Sequence, residues 1–286
     1  MSLVLKSGPM MLDLDPHIGG SVRQLSWRGI PILRPAPKDD DISPLDCGAF
    51  TMVPFSGRIA DGLIDFHGTR HQIPPNFPPE PHAIHGFGWQ SRWQIVACDA
   101  VSARLRHTPP EGAWPWDYEA QQLFRVTPEE LRLTLFLVNK SDMPMPAGFG
   151  WHPYFPRENA SLQADTHMVW LSEENMIPSP PVLVTPHFDL TRTRPVRELN
   201  MDNAFSIGST VQHMTWPDRV VTLSSDPDFT KLIVYVPPGE TYFCVEPATH
   251  APNAINSDLP ASQTGLIVLK PRQALSATIR LTVSAP

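Results

Sequence analysis

The chain has 286 residues, 41% of them hydrophobic and 18% charged, with a formal charge of −7. That length can bury a sizeable core, and the negative balance excludes a nucleic-acid partner held through a basic face. The 34 prolines exclude a mostly helical chain, because proline removes a backbone donor and clashes inside helices.

The N-terminus, MSLVLKSGPMMLDLDPH, has a short apolar start and early acids. It lacks the continuous apolar stretch of a signal peptide, and no segment approaches the roughly 20 apolar residues of a membrane span. Cys47, Cys98 and Cys244 are widely spaced and odd in number, which reads as reduced thiols rather than a disulfide framework or a metal knuckle. A soluble cytoplasmic protein is expected, with no membrane and no nucleic-acid partner.

Along the chain, prolines around 35–44, 74–81 and 177–195 mark long connections. Between them the apolar residues alternate as in strands. RWQIVACD (92–99) and SARLRHT (102–108) read as a hairpin. LFRV (123–126) leads through TPEE into LRLTLFLV (131–138), a second hairpin. In that last run Leu131, Leu133, Leu135 and Leu137 share a face, and Phe136 and Val138 turn the other face apolar, as for a strand between two layers. KLIVYV (231–236) turns at PPGE into TYFCVE (241–246), and SATIRLTV (276–283) alternates strictly. With no capped helical stripe longer than about three turns and no internal repeat, the expectation is one all-β domain over 1–286, a large antiparallel β-sandwich with functional loops.

Four stretches carry residues suited to chemistry. GFGWHPYFPR (148–157) sets His152 between a tryptophan and a proline. Such a histidine is either packed against a backbone carbonyl or a general acid, since its ordinary pKa of about 6.5 suits proton transfer. Glu246 closes the apolar run YFCVE, where Pro247 should stop the ladder. A carboxylate placed there is ion-paired or functional, because an unpaired buried charge is costly. PFSGRIADG (54–62) offers Arg58, a planar fork for oxygen acceptors. HAIHGFGW (82–89) offers His82 and His85, a spacing without the third and fourth ligands a zinc site needs, so no metal is expected. Phosphate-cradling and nucleophile-elbow motifs are missing.

Taken in order, these stretches resemble the aldose 1-epimerase (galactose mutarotase) family. PFSGRIADG is similar to the family's P-Y-S-N-R-I-x-x-G, and PNFPPEPHAIHGFGW with Trp93 to its N…LHG…W segment. GFGWHPYF is similar to G-x-x-H-P-Y-F, MDNAF (201–205) to a short segment carrying a substrate-binding aspartate, and FCVEPATHAPNAIN to EP-x-T…PNA…N. LIVLKPRQALSATIRLTV is similar to the closing L-K-P-G strand pair, and the matches span about residues 18–285. Gly57 stands where many members have asparagine, which removes one sugar contact, and Arg272 replaces the glycine after Lys-Pro.

The resemblance implies a β-supersandwich that binds a pyranose on its open face. It implies His152 as the general acid on the ring oxygen and Glu246 as the general base on the anomeric hydroxyl, with Arg58, His85 and Asp202 orienting sugar hydroxyls. Such a reaction needs one acid and one base and no cofactor, with the glutamate ionised and the histidine protonated at the outset. Trp89, Trp93 and Trp151 are candidates for an apolar sugar face. Three rivals share the fold: a sugar-binding or regulatory module without turnover, a hexose 6-phosphate epimerase, and a glycoside hydrolase. The last would use two catalytic carboxylates, and Glu246 has only Asp202 as a possible acid partner.

Overall fold

A computed structural model describes residues 2–39 and 41–286. Among them, eighteen strands join into one large sheet and three two-stranded pairs stand outside it. Every strand pairing within these sheets is antiparallel. The one α-helix among the described residues is the four-residue Ala261–Thr264, as the proline content requires.

The expected hairpins form. Gln94–Cys98 pairs with Ser102–His107, Tyr118–Val126 with Glu130–Asn139, and Lys231–Val236 with Tyr242–Ala248. Alternation sets the core. Leu131, Leu133, Leu135 and Leu137 face Leu281, Ile279, Ala277 and Leu275 across the ladder, and all eight are buried. Each leucine or isoleucine among them contributes about 1.5–3 kcal/mol on burial.

The other face of the Glu130–Asn139 strand departs from expectation. Arg132 is exposed and Thr134, Phe136 and Val138 are half-buried. The strand does not lie between two packed layers there. The Arg104 guanidinium lies 5.9 Å from the Phe136 ring centre and shields it from water.

The Glu246 strand also runs further than expected. Tyr242–Ala248 continues through Pro247, which sits opposite Leu232. Proline lacks an amide hydrogen but keeps its carbonyl, so pairing is interrupted at one bond and the strand resumes at Ala248 opposite Lys231.

Candidate active site

Strand register assembles the floor of a cleft. Phe50 pairs with His152 on the Gly150–Pro156 strand. That strand pairs with the Glu246 strand in a register fixed by Gly150 opposite Ala248 and Tyr154 opposite Cys244, which sets His152 across from Glu246. The row continues through Ile233, Ala204 and Trp170 on the next three strands. A parallel row two residues along carries Tyr154, Cys244, Tyr235 and Asp202. Side chains two apart on a strand share a face, and all members of the two rows except the fully packed Phe50 and Cys244 line one cavity.

The cavity encloses about 310 Å³, at the small end of ligand-sized clefts. Its walls are loops carrying Gly57, Arg58, His85, Trp89 and Met176. His152 and Glu246, 94 residues apart in sequence, meet on its floor with Nε2 and Oε1 3.3 Å apart. The His152 ring is sandwiched between Phe50 and Tyr154, each 4.7 Å away centre to centre. Stacking on both faces fixes the ring and aims Nε2 at the carboxyl group.

Burial governs the protonation of this pair. It lowers the His152 pKa to about 3, and the Arg34 guanidinium adds to that effect. Burial pushes Glu246 well above the carboxylate range, with Asp202 reinforcing and Arg58 opposing. Each shift disfavours a lone charge. Both shifts favour the uncharged forms, a protonated glutamate and a neutral imidazole. The ionised glutamate and protonated histidine expected from sequence differ from that pair only by the position of one proton.

The walls are pinned by hydrogen bonds between side chains and backbone. Asn76 donates to the Ile84 and Gly86 carbonyls at 2.8 and 2.9 Å and accepts from the Ile84 amide at 2.8 Å. These bonds hold the loop on which His85 takes φ +58°. Gly86 follows at φ +69°, and a Cβ there would lie 2.0 Å from the Val53 carbonyl oxygen. The Gly57 amide donates to His85 Nδ1 at 3.2 Å, which leaves the proton of the neutral ring on Nε2. Burial, with His152 and Arg58 nearby, keeps His85 well below its ordinary pKa. His85 therefore offers one N–H donor to the cleft.

Gly57 itself has φ +66°, and a Cβ would meet Pro252 at 2.9 Å. Glycine at this position fits the close approach of the 248–257 segment. Asn253 of that segment donates its amide to the Arg58 carbonyl and accepts from the Ala60 amide through its side chain. Arg58 pairs with Glu80 at 3.3 Å. Asp202 faces the cleft half-buried, its pKa raised by burial against the pull of Arg58.

All five candidate site residues thus line one cavity. His82 does not join them. Its Nδ1 accepts from the Asp61 amide and its Nε2 lies 2.9 Å from the Asn175 carbonyl oxygen. Of the three candidate tryptophans only Trp89 lines the cleft; Trp93 and Trp151 are core. The sequence reading missed Tyr154, Tyr235, Tyr242 and Trp170 in the lining and Glu80 behind Arg58. Parity carried a signal for the first three, since Tyr154 and Tyr242 share strand faces with His152 and Glu246, and Tyr235 shares one with Ile233.

The aldose 1-epimerase family model matches residues 13–282. The chain belongs to the aldose 1-epimerase family. It is 28% identical over 297 aligned residues to the uncharacterized protein YphB of Escherichia coli K12, covering 98% of this chain and 97% of that one. A crystal structure of an Escherichia coli K12 protein superposes with a TM-score of 0.91 at 26% identity, covering 100% and 99% of the two chains. A galactose mutarotase-like protein of Clostridium acetobutylicum gives 0.88 at 20% identity over 100% and 95%. The all-β fold with its large antiparallel sheet is the galactose mutarotase-like fold.

Proposed function

We propose that this epimerase-family protein interconverts the α and β anomers of an unphosphorylated aldose by ring opening and reclosure. The observation that carries the reading is the acid–base pair His152–Glu246 on the cleft floor, 3.3 Å apart. In the reactive tautomer Glu246 takes the proton from the anomeric hydroxyl. The electrons of that O–H bond form the C1 carbonyl, the bond from C1 to the ring oxygen breaks, and the ring oxygen takes the proton of His152 Nε2. Rotation about C1–C2 presents the other carbonyl face. The liberated hydroxyl adds back, returning its proton to His152, while Glu246 reprotonates the anomeric oxygen. No net proton is gained or lost, which suits a buried pair that tolerates no lone charge.

The wall residues position the sugar. His85 donates through Nε2, Asp202 accepts, and Arg58 donates while paired to Glu80. Tyr235, Tyr242, Trp89 and Trp170 supply aromatic faces for the apolar side of a pyranose. Among the described residues, Arg58 is the only lysine or arginine lining the cleft. That favours an uncharged sugar over a phosphorylated one. The paired histidine and glutamate favour catalysis over simple binding, since a binding module needs no proton relay. The arrangement also disfavours glycoside hydrolysis, which uses two catalytic carboxyl groups.

Polarimetry of freshly dissolved α-D-glucose, α-D-galactose and a panel of other aldoses tests the reading. Wild-type protein should speed equilibration, and Glu246→Gln and His152→Ala should each abolish most of the effect. Saturable sugar binding without any acceleration would replace this reading with a binding module.

A further inference from the structure

Cys244 takes no part in ring opening, yet it lies beside the acid–base pair. It precedes Glu246 by two residues on the same strand face and sits opposite Tyr154, two residues from His152 on the partner strand. The thiol is fully buried and packs in the cluster formed by Phe50, Trp89 and Tyr154, with Tyr235 and Tyr242 against it. One ligand atom each from His152, Cys244 and Glu246 lies within 4.8 Å of the other two. Among the described residues this is the only such group of three.

We propose that His152 Nε2, Cys244 Sγ and a Glu246 carboxyl oxygen form a binding site for a zinc-type divalent cation, and that the cation turns the cleft off. Zinc takes nitrogen, sulfur and carboxylate ligands at about 2.0–2.3 Å in tetrahedral geometry, which places the ligand atoms roughly 3.3–3.8 Å apart. The side chains need to draw together by only about 1 Å from their present limit of 4.8 Å. The imidazole is already held between two rings, so the thiol and carboxyl groups do the adjusting. Three protein ligands leave the fourth position open toward the cleft, where water or a sugar hydroxyl completes the shell.

Charge balance favours the site. With the thiol bound as thiolate and the carboxyl group as carboxylate, the two ligand charges neutralise the dication, so the loaded site carries no net charge. The same event occupies both the basic oxygen and the imidazole lone pair that move the proton in ring opening. A thiolate ligand selects zinc, cadmium or cobalt over magnesium and calcium, which prefer all-oxygen shells. The loss of activity rests on the reading under Proposed function; the site itself does not.

Cobalt(II) titration of the full-length protein tests binding without reference to activity. The expected result is one cobalt per chain, with a sulfur-to-cobalt charge-transfer band and visible bands of tetrahedral intensity. Both should persist in Cys98→Ser, which removes the exposed thiol. Cys244→Ser should lose the charge-transfer band, and Glu246→Gln should bind at least about tenfold more weakly. Circular dichroism establishes that each variant is folded, and if Cys244→Ser is not, Glu246→Gln carries the test. A spectrum without the sulfur band, a band surviving Cys244→Ser, or one lost in Cys98→Ser overturns the site. In parallel, zinc should slow mutarotation, EDTA should restore it, and magnesium should do neither. Chelator-treated protein that binds cobalt as described but mutarotates no sugar would overturn the mutarotase reading and leave the metal site standing.

Discussion

The floor and the walls of the cleft are built by different means. His152 and Glu246 stand on adjoining interior strands, and their approach is a consequence of antiparallel register and double ring stacking. Arg58, His85 and Pro252 stand on short segments outside the large sheet, Arg58 opposite Ile84 in a two-stranded pair, and a few contacts hold them: the Asn76 and Asn253 side chains and the backbone amide of Gly57. A ladder distributes the cost of an error over many bonds, whereas a pinned loop concentrates it in one residue. On the proposed function, chemistry sits on the rigid part, and sugar recognition on the part that a few substitutions can reshape.

The comparison breaks most sharply at the floor. Glu246→Gln keeps the shape of the side chain but removes the base, so kcat should fall about 10²–10⁴-fold while KM changes little. Polarimetric progress curves at several sugar concentrations separate the two constants. A variant with near-normal kcat would remove Glu246 from the reaction.

Acid should act on buried histidines shared by wall and core. Burial lowers both His250 and His107 to about 4. The unfolded chain protonates them near pH 6.5 and the folded one does not, so stability is fully present above that pH and declines as pH falls toward 4. The slope should be about 1.4 kcal/mol per pH unit for each histidine, measured by urea denaturation between pH 7 and 4.5. His250 accepts from the Ser56 amide through Nε2, so protonation also breaks a wall contact. Raised KM should precede unfolding.

Removing a wall pin should do less than removing the base. Asn76→Ala orphans the Ile84 amide, while the Ile84 and Gly86 carbonyls keep the Trp89 indole N–H as a donor, at a cost of about 1–3 kcal/mol. It should raise KM more than it lowers kcat, because His85 loosens while the floor stays in register. An effect confined to kcat would erase the distinction between walls and floor. Smallest is Gly57→Ala, which forces a Cβ against Pro252 in the left-handed region at about 1–2 kcal/mol. Gly57→Asn should cost less strain, since asparagine tolerates that conformation, although Pro252 must still shift. Denaturant midpoints of the two variants decide the order.

The strands were largely legible because a period of two is a local property. LRLTLFLV, KLIVYV and SATIRLTV each announce a strand and come out as one, although the second face of LRLTLFLV is only half-buried where a second layer was expected. His152, Glu246, Arg58, His85 and Asp202 were legible through ordered motifs, and parity around HPY and YFCVE pointed to the tyrosines. Glu80 was not legible, since a lone glutamate among prolines looks like a solvated turn. The same holds for Pro247, whose neighbours continue the ladder past it.

By itself the sequence determined the alternating strands, the loops that punctuate them and the residue types able to move a proton. Tertiary structure alone decided that His152 meets Glu246 across a strand pair, that Cys244 lies beside them, and that burial disfavours a lone charge on either partner. Periodicity depends on neighbours in the chain. Distance, dielectric and protonation depend on neighbours in space, and those are set only when strands 94 residues apart lie side by side.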